Sequence, residues 1–295
     1  MTDDDAMTDD GADRNEAPFS PAEHAELALL LEVAGTPKPG NVDRRRDFAD
    51  LRFEHFLAGA VGARRGLDLA ADGAPVGEAF ERAVAGMAER QRGGNTQFGC
   101  LLLLVPLVRA ADEGNLTPEG AADVAESTTV EDAVGFYRAF EHANVTVGDP
   151  PEGADDLDVR RGGEAIPALR KRELTLYGVM ELSADRDGNA REWIGGFRRT
   201  FGAAEAILAD DGPVLDRAAR AFLTLLAEEP DTLVATQHGD AVAEAVSRRA
   251  AEARGDPDAV AALADDLVAD GHNPGTTADV TAAALFVALE RGVPV

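Results

Sequence analysis

Eleven consecutive residues, Phe98 to Val108, carry no charge and almost no polarity. The run is too short to cross a bilayer, and it contains Pro106, which can kink a helix. Its side chains Phe98, Leu101, Leu102, Leu103, Leu104, Val105, Leu107 and Val108 leave no polar face, so as a helix it must be buried all round. Other elements have to wrap it. The rest of the chain supplies stretches at helical spacing separated by Gly, Pro or Asp, and no segment alternates with period two.

Helix starts are well marked. Ser20-Pro21-Ala22-Glu23 is a capping box with proline at the first helical position, followed by Leu27, Leu30, Leu31 and Ala34 and ended by Gly35. Thr117-Pro118, and Thr129 with Asp132, are further N-terminal signals. Further helices are expected at 52–71, 76–91, 95–113, 117–127, 130–145, 172–184, 189–209, 213–228, 239–254, 256–269 and 276–291. The expectation is all-α: one domain over 20–295, of roughly ten to twelve helices around a central helix at 95–113. Residues 1–19 read as a disordered acidic tail, and 148–167 as the longest irregular stretch.

The chain has 295 residues, with 28 basic and 55 acidic side chains and a formal net charge of −27. That surface repels phosphate backbones and anionic lipid, which argues against nucleic-acid and membrane partners. Only Lys38 and Lys171 are lysines; the other basic residues are arginine. Abundant carboxylates, scarce lysine and few aromatics suit a cytosol of molar salt, where repulsion is screened within about 3 Å. The charge reads as halophilic adaptation, with an acidic face for a cationic partner as the alternative. The single cysteine, Cys100, rules out an internal disulfide and reads as a small core residue. The acidic start resembles no secretion signal, so a cytoplasmic protein is expected.

Familiar nucleotide and metal signatures are absent. Three polar, Gly-marked loops remain. Thr36 to Asp43 places Lys38 between two prolines; a compact ammonium there suits a phosphate, or the loop is an ordinary interhelical turn. Gly93-Gly94-Asn95-Thr96-Gln97-Phe98-Gly99 leads into the central helix, where Asn95 or Thr96 can cap it or free amides can attract an anion. Gly271 to Asp279 holds Thr276 and Asp279 at capping-box spacing; the alternative is a carboxylate at a Mg²⁺–polyphosphate site.

PKPGNVD at 37–43, GGNTQFG at 93–99 and NPGTTADV at 273–280 together resemble the triphosphoribosyl-dephospho-CoA synthases, in order and approximate spacing, over roughly 21–292. The 160–165 segment, Arg160-Arg161-Gly162-Gly163-Glu164-Ala165, looks like a looser version of another motif of that family, and Asp231-Thr232-Leu233 like a further one. Gln97 stands where the family usually has histidine, and the departures suggest an archaeal-type branch. The resemblance implies an all-α enzyme that moves the triphosphoribosyl group of ATP to the 2′-hydroxyl of 3′-dephospho-CoA, or a related acceptor. Adenine is released, and the product is a prosthetic-group precursor for an acyl carrier protein. By motif position it implies Lys38 for phosphate, Asp43 and Asp279 for Mg²⁺ or acid–base work, and Asn95 and Thr96 for nucleotide contacts. Gly40, Asn273 and Gly275 would shape the loops, Arg160 and Arg161 would take the second substrate's phosphates, and Glu32 and Glu164 are further carboxylate candidates. Alternatives are a Mg²⁺-dependent all-α ADP-ribosyl hydrolase and a non-catalytic nucleotide-binding relative. The sequence leaves the oligomeric state open.

Overall fold

The computed structural model describes residues 19–295; the expected acidic tail, Phe19 excepted, lies outside the described residues. Ser20 closes its capping box with Glu23 and starts α1 (Pro21–Ala34), which Gly35 ends. There follow α2 (Phe53–Ala71), α3 (Val76–Glu89), α4 (Phe98–Asp112), α5 (Pro118–Glu126) and α6 (Val130–Ala139). Two 3₁₀ turns, Asp155–Leu157 and Val159–Ala165, occupy much of the stretch expected to be irregular. The chain continues through α7 (Ile166–Arg172), α8 (Leu176–Ser183), α9 (Gly188–Ile194), α10 (Arg198–Ala209) and α11 (Val214–Glu228). It ends with α12 (Thr232–His238), α13 (Asp240–Ala253), α14 (Pro257–Ala269) and α15 (Gly275–Glu290). The chain is all-α, and the described residues form no strand.

The fifteen helices of the described residues exceed the ten to twelve expected, for local reasons. The span expected at 189–209 is two helices, because Gly195 and Gly196 interrupt it and Phe197 adopts the left-handed region at φ 55°. The buried carboxylate of Glu192 then accepts from the amides of Arg199 and Thr200 and caps α10. α7 and α12 have seven residues each, too few for periodicity to reveal.

The expected central helix is one of a pair. α4 is buried from Phe98 to Val108, apart from Gly99. It packs on α15, which is still more enclosed. α1, α2 and α3 cover one side of the pair, and α10 and α11 pack against α15 on the other. Pro106 has no N–H, so the carbonyl of Leu102 loses its helical donor. The buried indole of Trp193 supplies one, Nε1 to Leu102 O at 3.1 Å. That bond ties α9 to the middle of α4.

Candidate active site

The N-termini of α4 and α15 open onto one cavity of about 770 Å³. All three polar loops reach its wall, through Asn41, through Asn95, Thr96 and Gly99, and through Asn273, Gly275, Thr276 and Asp279.

The first loop is a knot of buried polar groups. Asp43 is fully buried; its Oδ2 accepts from Thr36 Oγ1 (2.7 Å), Lys38 N (3.2 Å) and Arg46 Nη1 (3.2 Å), and its Oδ1 from Arg45 N (2.8 Å). A carboxylate with these donors holds the turn in shape, and it stands behind the cavity wall. Lys38 is also fully buried. Its ammonium is paired with Glu32 and donates to Asn41 Oδ1 at 3.0 Å. Both partners line the cavity, whereas Lys38 does not. Asn41 in turn donates to Asn273 Oδ1 at 2.9 Å, stitching the first loop to the third. Gly40 permits that approach: at φ +75°, an added Cβ would lie 2.2 Å from the carbonyl oxygen of His272.

In the second loop Gln97, and not Asn95 or Thr96, is the N-cap residue of α4 and makes no side-chain cap; Asn95 Oδ1 accepts from Phe98 N at 3.0 Å. The third departs from its capping-box spacing. α15 starts at Gly275 without a side-chain cap, and Thr276 Oγ1 instead meets Thr232 Oγ1 at 3.0 Å. Asp279 is thereby free of capping and turns to the start of α4. Its Oδ1 accepts from Cys100 Sγ at 3.1 Å and its Oδ2 from Asn189 Nδ2 at 2.8 Å. Gly99 makes room for it, since a Cβ there would lie 2.0 Å from Asp279 Oδ2. Burial raises Asp279 to about 7, against the pull of Asn189 and Cys100 and with the push of the Asp231 and Glu32 charges. Burial also raises Glu32 above the usual carboxylate range, despite Lys38. The Cys100 thiol is pushed well up by burial and by Asp279, which makes it a donor and not a nucleophile.

Two groups beyond the three motifs complete this floor. Asn189 sits beside Asp279 in the first turn of α9, which Asp187 caps. Asp231 caps α12 through the amides of Leu233 and Val234, while its other oxygen accepts from Thr277 N and Oγ1, both at 2.7 Å. It holds α12 against α15 and brings Thr232 and Leu233 to the wall. The looser motif begins beside the cavity wall, directly after Asp158 and Val159, but does not turn into it. Arg160, Arg161 and Glu164 are exposed and do not line the cavity, and Arg160 is engaged by Asp158 and Asp149. The guanidiniums that do line it are Arg92 and Arg186, and neither forms an ion pair among the described residues. Against them stand six carboxylates: Glu32, Asp50, Asp149, Asp158, Asp187 and Asp279.

The sequence that carries these loops matches a known family. The profile of the ATP:dephospho-CoA triphosphoribosyl transferases (CitG) matches residues 18–293. The chain belongs to this family. Its reaction is transfer of the triphosphoribosyl group of ATP to dephospho-CoA. The fold is similar to a crystal structure from Archaeoglobus fulgidus, that of a proposed triphosphoribosyl-dephospho-CoA synthase. Identity is 28%, the TM-score is 0.67, and the match covers 80% of this chain and 99% of that one. No curated protein matches the chain in sequence. Among the described residues, no helix is long and apolar enough to cross a membrane, and no three His, Cys, Asp or Glu side chains are grouped to hold a metal ion.

Proposed function

We propose that the 770 Å³ cavity is where the transfer takes place, with Asp279 as the group that moves the proton. The observation that carries this is the Asp279 carboxyl: half-buried, raised to about 7, and fixed by Cys100 and Asn189 on the cavity wall. In the reaction the acceptor hydroxyl oxygen bonds to ribose C1′ and the bond from C1′ to the adenine nitrogen breaks. A proton leaves the hydroxyl and the departing adenine gains one. A carboxyl that titrates near neutrality can take up the first proton at little cost. C1′ gains positive charge as the bond to adenine stretches, and the acidic wall stabilises that charge.

The same wall disfavours phosphates, which is where Mg²⁺ enters. Mg²⁺ characteristically binds one or two carboxylates together with substrate phosphates. Glu32 spends one oxygen on Lys38 and Asp187 one on the Ala190 amide, so each keeps an oxygen for the ion or its waters. These two residues would hold it; when bound, it would neutralise and anchor the triphosphate. Arg92 and Arg186 are suited to the remaining phosphate charge. In this reading Asp43 and Lys38 act from behind, by fixing Asn41 and Glu32. The motif resemblance supports a cytoplasmic step whose product serves an acyl carrier protein.

The test is adenine release, followed by chromatography in molar KCl with ATP, Mg²⁺ and dephospho-CoA. Adenine should appear only when the acceptor is present, and Asp279→Asn should lower kcat by about 10²–10⁴-fold with ATP still bound. Adenine released without acceptor, or full turnover by the variant, would overturn the assignment.

A further inference from the structure

The cavity has two ends of opposite character. The wall around Asp279 is rich in polar groups, with Cys100, Ala190 and Ala278 among them; the other end is formed by Phe136, Phe140, Leu157, Val179, Met180 and Leu182. Leu182 on α8 is 45% exposed, one of five large exposed hydrophobics among the described residues and the only one of them on the cavity wall. Leu182 carries the apolar wall formed by its buried neighbours out to solvent.

We infer that this end holds the neutral pantetheine arm of dephospho-CoA; the inference rests on the cavity being the site of transfer. A phosphate there meets one guanidinium of the wall, Arg186, which already donates to Asp149 O at 2.8 Å. Asp149 and Asp158 stand at that end, and Arg160 is already engaged by both. An adenine ring fits poorly too, because it needs an open aromatic face and partners for its polar edge. The rings of Phe98, Phe136 and Phe140 are packed edge-on or tilted against one another at 4.7–6.3 Å, and the Tyr137 hydroxyl is spent on Leu157 O at 2.6 Å. A flexible, uncharged chain needs neither. It can lie along Val179 and Leu182 while its nucleotide reaches toward Asp279.

The experiment compares dephospho-CoA with ADP, which is the same nucleotide without the arm. Binding of each is measured by calorimetry to wild type, Leu182→Asp and Leu182→Ala, alongside the KM for ATP. Wild type should bind dephospho-CoA more tightly than ADP. Leu182→Asp should weaken dephospho-CoA about three- to tenfold, as expected for losing contact with a half-open leucine, and Leu182→Ala somewhat less. ADP affinity and the KM for ATP should not move. Equal weakening of both ligands, or none, would overturn the inference while leaving the site of transfer intact. Wild type that binds neither ligand would overturn both.

Discussion

Replacing Lys38 by methionine separates a structural ammonium from a substrate-binding one. Met keeps much of the stem's volume and removes the charge. In the wild type the ammonium is wholly enclosed, paired with Glu32, bonded to Asn41 and 5.8 Å from the centre of the Phe222 ring. Lys38→Met leaves Glu32, itself 2% exposed, without its counter-charge. Stranding one member of a buried pair costs about 3–5 kcal/mol, a large share of the roughly 5–15 kcal/mol that holds a protein folded. At about 2–4 °C per kcal/mol the melting temperature should fall by roughly 6–20 °C. The loss should depend on pH with a definite sign. Burial already raises the Glu32 carboxyl above its ordinary value, and removing Lys38 removes the main influence lowering it. A carboxyl raised by folding stabilises below its unfolded pKa, and that contribution is lost as pH rises through the folded value. The gap between variant and wild type should therefore be widest at neutral pH and narrow on acidification toward pH 5. Adding Glu32→Gln should recover most of the stability at neutral pH. Thermal unfolding by circular dichroism in molar KCl reads each of these. A variant that melts within about 3 °C of wild type but has lost ATP affinity would refute the reasoning and return Lys38 to the phosphates.

Three further outcomes follow from contacts described above. Gly99→Ala puts a methyl 2.0 Å from Asp279 Oδ2, so kcat should fall about 10²-fold with the melting temperature little changed; normal kcat would mean that the carboxyl position is not critical. Trp193→Phe strands the Leu102 carbonyl and should cost about 1–3 kcal/mol in denaturant unfolding, but less in a Pro106→Ala background, where the restored amide can serve that carbonyl. Strict additivity of the two changes would exclude the link. Raising KCl should raise the melting temperature continuously, because 55 acidic side chains repel one another less when screened; a flat or falling profile would remove the halophilic reading.

The helices were legible where caps and periodicity spoke together, as at Ser20, Thr117 and Thr129. The three loops that form the site were legible as polar, Gly-marked interruptions, and their convergence follows from α4 and α15 packing side by side. Other features were hidden for physical reasons. Asp187-Gly188-Asn189 looks like an ordinary cap followed by a long helix, so the role of Asn189 beside Asp279 has no local signal. The burial of Lys38 depends on Glu32, six residues earlier on α1, and on Phe222 from α11. Arg160 and Arg161 carried the right charge in a motif-like segment, but whether a side chain turns into the cavity is a property of the packing and not of the motif. The spacing of Thr276 and Asp279 was misleading in an informative way: the two look like a cap, yet each bonds to a different helix.

Because α4 and α15 are the most enclosed helices and both begin at the cavity, the candidate site rests on the part of the molecule that opens last. Amide exchange there should approach the global unfolding rate. The opposite wall, Asn144 to Asp158, is held by a few bonds such as Tyr137 to Leu157 and Arg186 to Asp149, and should exchange much sooner. Substitutions in that wall should therefore alter ligand binding with little effect on global stability.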